Sequence, residues 1–286
     1  MEDKEREGAP KKFKDEELEA LLDEDPCQTE KELATALNVT QQCISQRLHK
    51  MGMVQKQGIW LPHELKERDI ERRKTMCEML LQRQKRKSFL HRIVTGDEKW
   101  IHYDNPKRPK AWVRPGEAGP SKPKQNIHGS KVMLCIWWDQ KGVVYYELLK
   151  PSETITGDRY RQQLIELNRA LKQKRPVYAE RHDKLIFQHD NARPHVAKPV
   201  KETLELLNWE VLPHPPYSPD IAPSDYHLFR SMQSALSGER FSSYEEIKKW
   251  VDEWIASKEP DFFYRGIHLL PEKWQNVVVS DGNYFE

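Results

Sequence analysis

Two stretches decide the fold: Phe187-Gln188-His189-Asp190-Asn191-Ala192-Arg193-Pro194-His195 and Tyr217-Ser218-Pro219-Asp220-Ile221-Ala222-Pro223-Ser224-Asp225-Tyr226. The first follows Lys184-Leu185-Ile186-Phe187, a short apolar run typical of a β-strand. The second leads into apolar residues at helical spacing, which are Tyr226, Phe229, Met232 and Leu236. The sequence therefore predicts one carboxylate, Asp190, at the end of a strand and another, Asp225, at the start of a helix.

A third carboxylate, Asp97, lies far upstream in Val94-Thr95-Gly96-Asp97-Glu98-Lys99-Trp100. By position, 92 residues separate Asp97 from Asp190, and 34 separate Asp190 from Asp225. Three carboxylates without thiol companions suit hard divalent ions such as Mg²⁺. Two such ions can stabilise both the attacking and the leaving oxygen of a phosphodiester. Each aspartate taken alone could instead cap a helix, form a turn or lie on the surface.

These segments resemble the catalytic domain of mariner-family DNA transposases, which carry a D…D…D triad with the same spacing between its last two members. The resemblance runs from about Leu18 to Glu286. It implies that Asp97, Asp190 and Asp225 are catalytic metal ligands for two Mg²⁺ or Mn²⁺ ions, with Asp97 bridging both. Alternation of strands and helices around these acids also fits an α/β, ribonuclease-H-like domain, a mixed sheet with helices on both faces.

Other polar residues of the motifs are candidates for supporting roles. Glu98, Asn191 and Asp220 could orient the metal ligands. Five residues separate His189 from His195, a spacing that matches no common zinc pattern. A structural or DNA-contacting role is therefore favoured for both histidines over a mononuclear metal site.

Composition and charge narrow the class of protein. The chain has 286 residues, of which 32% are charged and 37% hydrophobic, and this predicts a soluble protein with one main core and a smaller module. The formal net charge is only +2, but residues 66–92 and 99–131 are strongly basic. Such patches can contact phosphate even when the total charge is small.

Cysteine and apolar patterns exclude other classes. The four cysteines form no C-x-x-C pair, which favours a reducing compartment and no zinc site. The longest apolar run, 132–138, is too short to cross a bilayer, and no signal peptide is predicted. We therefore expect no membrane partner and no small-molecule substrate.

Residues 13–57 predict a small all-α helix-turn-helix domain, after a disordered tail at 1–12. Thr29 and Glu32 form a capping box, and Thr40 caps the last helix. That helix can enter a major groove and offer polar side chains to double-stranded DNA. These are Gln41, Gln42, Ser45, Gln46, Arg47 and Lys50. The alternative is a packing module that binds no DNA.

Residues 58–88 predict a linker that contains a basic helix. Its start, Trp60-Leu61-Pro62-His63-Glu64-Leu65, resembles the family's linker motif, which implies a homodimer with Trp60, Pro62, His63, Glu64 and Leu65 at the contact. The basic helix could track DNA, act as a signal for import into the nucleus, or be a solvated face with Ile70, Met76, Met79 and Leu80 turned inward. The catalytic domain follows at 89–286, with an insertion at about 105–130 that in the family reaches towards the partner subunit and DNA.

The predicted function is that of a mariner-type transposase. Such an enzyme binds the terminal inverted repeats of its element, hydrolyses phosphodiesters and joins a free 3′-hydroxyl to target DNA at a TA dinucleotide. Family members normally carry two helix-turn-helix units, so we expect a form that lacks the first. Two alternatives stay open: a host-adopted, transposase-derived DNA-binding or repair-associated protein with at most residual nuclease activity, and a catalytically inactive remnant. The presence of all three aspartates counts against the remnant.

Overall fold

The computed structural model describes residues 15–24, 30–51, 54–57, 64–106, 110–113, 130–151, 153–176, 178 and 184–285. The chain divides into two compact units, the first being Met1–Pro62 with Lys107–Ile127 and the second His63–Pro106 with His128–Glu286. Among the described residues, no helix combines the length and the apolar character needed to span a membrane.

The first unit contains three short helices: α1 (Asp15–Glu24), α2 (Glu30–Ala36) and α3 (Gln41–Lys50). The turn between α2 and α3 forms because Asn38 adopts a positive φ of 52° and the Thr40 side chain accepts a hydrogen bond from the Cys43 N–H. Apolar residues from all three helices make one small core, formed by Leu18, Leu22, Leu33, Ala34, Ile44 and Leu48.

A two-stranded sheet belongs to the same unit. Strand β1 (Val54–Gln57) pairs antiparallel with β3 (Lys110–Val113). Part of the insertion expected at about 105–130 therefore forms a strand against the residues that follow α3. The pairing partners are more than fifty positions apart, and neither segment shows a strong apolar pattern that would predict it.

The second unit is built on a five-stranded sheet with the order β5-β4-β2-β6-β7. Its strands are β2 (Ile93–His102), β4 (Lys131–Asp139), β5 (Gly142–Leu148), β6 (Ile186–Gln188) and β7 (Glu210–Val211). Strand β4 runs antiparallel to both of its neighbours, whereas β2, β6 and β7 are parallel. Gly142, at φ 132°, makes the tight turn of the predicted hairpin between β4 and β5.

Helices cover both faces of this sheet, because successive residues of each strand point to opposite sides. One face packs against α5 (Gly157–Lys174) and α6 (Lys198–Leu206). The other packs against helices from both ends of the unit: α4 (Glu67–Arg86), α7 (Arg230–Leu236), α8 (Tyr244–Ala256), α9 (Pro260–His268) and α10 (Leu270–Val279). The predicted ribonuclease-H-like architecture is confirmed.

Helix α4, expected in the linker, packs against α10 within the second unit. Its buried residues are Asp69, Arg73, Cys77 and Leu80. Of the four residues expected to turn inward, Leu80 is buried and Ile70 and Met76 are half-buried, but the prediction for Met79 is wrong, since that side chain is 63% exposed. Arg73, by contrast, is fully buried. A charged residue therefore occupies a core position of this helix.

Gly96 in β2 allows a tryptophan to pack beside the catalytic strand. Its register partner on β4 is Trp137, which is fully buried, and a Cβ at position 96 would overlap the indole ring. We expect Gly96→Ala to lower the free energy of unfolding by about 1–3 kcal/mol, because the overlap forces a shift of packed groups. Chemical denaturation would measure the change, with Gly157→Ala as the control, since a Cβ there overlaps no ring and meets the Ala197 methyl at 3.0 Å and the Pro194 carbonyl oxygen at 3.8 Å. Equal stability of the two variants would contradict this reading.

Candidate active site

The register of strands β2 and β6 places Asp97 and Asp190 next to each other. Strands β2 and β6 are parallel, and Thr95 of β2 is paired with Gln188 of β6. Two residues further along each strand direction are Asp97 and Asp190. Strand β6 ends at Gln188, whereas β2 continues past Asp97, so this register places Asp190, just after the end of β6, beside Asp97 on the central strand of the sheet.

Asp225 reaches the same place from the other direction, in a π-helix at Ser224–Phe229. Two buried hydrogen bonds hold the preceding residues against the sheet. Gln188 Nε2 donates to the Ile221 carbonyl at 3.2 Å, and Trp138 Nε1 donates to Ser224 Oγ at 3.1 Å. Single turns of π-helix are rare and occur often at functional sites.

The carboxyl groups of Asp97 and Asp225 lie close enough to change each other's pKa. Burial, and then the charge of Asp225, raise the pKa of Asp97 well above its ordinary value. Burial, followed by the charge of Asp190, raises the pKa of Asp225 to about 6, against a smaller opposing effect of Lys99. Without a cation, this pair therefore holds a proton more firmly than isolated carboxyls do.

Asp190 is held differently, because its side chain is half exposed and accepts two hydrogen bonds on Oδ1. The Ala192 N–H lies at 2.9 Å and His195 Nδ1 at 2.6 Å. Burial alone would raise the pKa of Asp190, but these hydrogen bonds outweigh it and lower the pKa. Asp190 is therefore the carboxylate that stays ionised most readily.

His195, for which the sequence favours a structural or DNA-contacting role, lies directly against Asp190. Its ring is 2% exposed and bridges two carboxylates, with Nδ1 on Asp190 and Nε2 3.2 Å from Glu98 Oε1. The ring also stacks on Tyr160 at a centroid distance of 4.0 Å. Burial disfavours the charged ring, but the hydrogen bonds to Asp190 and Glu98 raise the pKa of His195 to about 9. A protonated imidazole thus links strand β2 to the loop after β6.

The three residues predicted to orient the ligands lie in different surroundings. Glu98 contacts His195, and so reaches Asp190 through the imidazole. Asn191 Nδ2 donates to the His214 carbonyl at 2.7 Å and joins two loops at the edge of the sheet. Asp220 contacts none of the three aspartates in any described hydrogen bond. Its carboxylate is paired with the buried guanidinium of Arg73.

The carboxylates fit a divalent cation. Two neighbouring carboxyls with raised pKa values repel once ionised, and a bound cation removes that repulsion. Among the described residues, no three His, Cys, Asp or Glu side chains already stand in a metal-binding arrangement. Asp97 and Asp225, with the Oδ2 oxygen of Asp190, are the groups that would hold the ion.

The predicted DNA-contacting residues lie on α3 of the first unit. Gln41, Gln42, Gln46 and Lys50 are exposed, and Ser45 is half-buried. The prediction for Arg47 needs correction. Its side chain is only 18% exposed and forms an ion pair with Asp15 of α1, so within this unit it joins two helices rather than facing outward.

Changing Lys50 and Arg47 separately tests this distinction. We expect Lys50→Ala to weaken DNA binding regardless of sequence and to lower the slope of log affinity against log salt by about 1. Arg47→Ala should instead lower the melting temperature of the first unit, because it removes the ion pair with Asp15 that joins α3 to α1. Filter binding at several salt concentrations would measure the slope, with Lys31→Ala on α2 as the matched control. An unchanged slope for Lys50→Ala would remove that residue from the interface.

The linker prediction is only partly visible. Glu64 is exposed and Leu65 half-buried, just before α4. Trp60, Pro62 and His63 lie outside the described residues, as do the tail at 1–12 and most of the insertion.

A mixed five-stranded sheet with three aspartates at its centre defines a ribonuclease-H-like, metal-dependent enzyme that acts on phosphodiesters. The family described as "Transposase (partial DDE domain)" matches residues 102–181. Mariner Mos1 transposase of Drosophila mauritiana is 60% identical over 286 residues, which are 100% of this chain and 83% of that protein. Histone-lysine N-methyltransferase SETMAR of Homo sapiens is 40% identical over 286 residues, 100% of this chain but 42% of that protein.

Solved structures agree with these relatives. A pre-cleavage Mos1 transpososome matches with a TM-score of 0.75 and 61% identity, covering 100% of this chain and 83% of that chain. Mos1 paired-end complexes with Mn and with Mg match with TM-scores of 0.74 and 0.73, at the same identity and coverage. The chain therefore belongs to the mariner family of DNA transposases. A divalent cation, which the carboxylates fit, belongs to the chemistry of this family.

Proposed function

We propose that this protein binds the terminal inverted repeats of a mariner element as a homodimer, cleaves the DNA there and joins the freed end to a TA target. The observation that carries the proposal is the meeting of Asp97, Asp190 and Asp225 at the centre of a ribonuclease-H-like sheet. The paired-end complexes of the Mos1 relative support the assembly on DNA ends. At 60% identity over the full chain, the same partner class is the direct expectation.

Different residues of the site would bind the metal ions and position the metal ligands. Asp97 comes from the middle of the sheet and faces both other carboxylates, so it would be shared between two ions, while Asp190 and Asp225 would each hold one. His195 fixes the orientation of Asp190, and the hydrogen bond from Trp138 to Ser224 fixes the start of the π-helix. When bound, two divalent ions would activate the attacking hydroxyl and stabilise the leaving 3′-oxygen.

We also propose that the protein acts in the nucleus, where its DNA substrate lies in a eukaryotic cell. Lys85, Arg86 and Lys87 at the end of α4 are exposed and form a short basic cluster. A fluorescent fusion that enters the nucleus only with this cluster intact would support the proposal, and exclusion of the wild-type fusion would contradict it.

The direct test of the function uses a labelled duplex that carries the element's own terminal repeat, with Mg²⁺ or Mn²⁺. We expect metal-dependent cleavage at the repeat boundary, absent in an Asp190→Ala variant that still binds the duplex. A duplex with a scrambled repeat is the control for specificity. Binding without cleavage by the wild-type chain would instead favour a host-adopted DNA-binding protein.

A further inference from the structure

Arg73 joins three distant segments of the second unit through one buried guanidinium. Its side chain is 0% exposed. Nε donates to the Gly282 carbonyl at 2.8 Å, and Nη1 donates to Ser218 Oγ at 2.7 Å and Asp220 Oδ1 at 2.8 Å. Nη2 donates to Asp220 Oδ2 at 2.5 Å and to the Asn283 carbonyl at 3.4 Å. Helix α4 is thereby connected both to residues 281–285, here called the strap, and to the segment that leads to Asp225.

The chain reverses direction at the end of α10, and this reversal directs the strap towards Arg73. Asp281 and Gly282 have positive φ values of 51° and 88°, and the Gly282 N–H donates to the Val277 carbonyl at 2.8 Å. This reversal turns the Gly282 carbonyl back towards the guanidinium. A Cβ at position 282 would overlap the backbone carbonyl of Ile70, so the close passage of the strap over α4 requires glycine.

Tyr284 connects the strap directly to the segment that leads to Asp225. Its hydroxyl donates to the Tyr217 carbonyl at 2.6 Å, and the Arg73 guanidinium lies 4.7 Å from the centre of its ring. Tyr217 itself has a φ of 53°, a conformation that a residue with a bulky side chain adopts only when its surroundings hold it. The strap is part of those surroundings.

The segment from 217 to 225 needs to be held from outside. It leads directly into the π-helix Ser224–Phe229, whose second residue is Asp225, so its position sets the position of that carboxylate. Sheet contacts fix its second half, at Ile221 and Ser224, whereas Arg73 and Tyr284 fix its first half.

We propose that Arg73 and the strap are positioning elements of the active site, which act through residues 217–220 to keep Asp225 opposite Asp97. This inference rests on the proposed function only in giving Asp225 a catalytic role. Neither Arg73 nor Tyr284 touches the reacting groups. Their effect is on the rate of cleavage and on the local order of the segment, not on DNA recognition by the first unit.

Hydrogen–deuterium exchange on the full chain, without DNA or metal, tests the structural part of the inference. Tyr284→Phe removes the hydroxyl contact with Tyr217 and keeps the ring over Arg73. We expect amide exchange in peptides covering 217–226 to become about three- to tenfold faster, as for the loss of one net hydrogen bond. Tyr264→Phe is the matched control, because Tyr264 is 47% exposed on α9 and lies outside the strap.

Cleavage kinetics test the functional part. We expect Tyr284→Phe to lower the cleavage rate at saturating DNA by a similar factor and to leave the Kd for the repeat unchanged. Gly282→Ala should increase amide exchange at 217–226 and lower the cleavage rate by larger factors. If that variant folds poorly, Tyr284→Phe still tests the inference.

Two outcomes would overturn the inference: exchange at 217–226 that matches the Tyr264→Phe control, or faster exchange there with an unchanged cleavage rate. A failure of the proposed function is a separate result. It would show as a wild-type chain that neither binds nor cleaves the repeat, whatever the exchange experiment gives.

Discussion

Asp97→Asn should abolish metal-dependent DNA cleavage and, in the absence of metal, make the fold more stable at pH 8. Cleavage should fall by about a thousandfold or more, because a neutral amide cannot replace a carboxylate that binds the metal ion. The bound metal stabilises the charge of the transition state by several kcal/mol. Stability should rise because burial and the charge of Asp225 penalise the ionised form of Asp97. Asparagine has nearly the same shape, carries no charge and can still accept the hydrogen bond from the Glu98 N–H.

The sign of the pH dependence follows from the raised pKa values. Between the ordinary carboxyl value of 3.8 and the raised values in the fold, the native state binds more protons than the unfolded state. The free energy of unfolding therefore decreases as pH rises above about 4, through about 6 for Asp225, and the raised pKa of Asp97 acts in the same direction. The asparagine variant lacks the Asp97 contribution, so its stability should fall less over the same range.

Thermal unfolding in EDTA at pH 4.5, 6 and 8 would measure this difference between the variant and the wild type. Asp158→Asn is a suitable control, because Asp158 is an exposed carboxylate on α5, 83% accessible. A variant that melts below the wild type at pH 8 would show that the ionised form of Asp97 does not destabilise the fold. A variant that keeps a tenth of the cleavage activity would show that Asp97 is not an essential metal ligand.

The spacing of the three aspartates and the sheet architecture could be predicted because both leave local traces in the sequence. An apolar strand ends just before Asp190, and apolar residues at helical spacing begin at Asp225. Alternating apolar runs mark β4 and β5, and a glycine marks the turn between them. Each of these signals is contained within about ten residues, so no knowledge of the tertiary contacts is needed.

The side-chain partners could not be predicted in the same way, because they join residues far apart in the chain. Arg73 meets Asp220 across 147 positions, and His195 meets Glu98 across 97. A charged residue is normally expected on the exposed face of a helix, so the basic stretch 66–92 predicts Arg73 on the surface. Only the folded structure shows that Asp220 compensates its burial. The outward position that the sequence predicts for Arg47 is wrong for the same reason, since Arg47 pairs with Asp15 across 32 positions.

His195→Ala should lower the rate of DNA cleavage by about 10–100-fold, the usual effect of removing a group that orients a metal ligand. The imidazole holds Asp190 through Nδ1 and Glu98 through Nε2, and its positive charge separates two carboxylates. Without it, Asp190 loses its orientation and the two acids face each other uncompensated. Since the ring is buried and stacked on Tyr160, some loss of stability is expected too, and rates should be measured well below the melting temperature.

A graded series separates orientation from packing. His195→Asn keeps a donor that can reach Asp190 but loses Glu98, whereas Glu98→Gln keeps the imidazole and removes only the charge of its second partner. If His195 acts by orienting Asp190, cleavage should fall least in Glu98→Gln, more in His195→Asn and most in His195→Ala, with repeat binding unchanged in all three. If packing alone matters, cleavage should instead follow the melting temperatures.

Asn191→Ala is the control for a neighbouring residue. It breaks only the loop contact with the His214 carbonyl, and Asn191 does not touch Asp190 in any described hydrogen bond. Equal rates for His195→Ala and Asn191→Ala would mean that the bridge to Glu98 has no special part in catalysis.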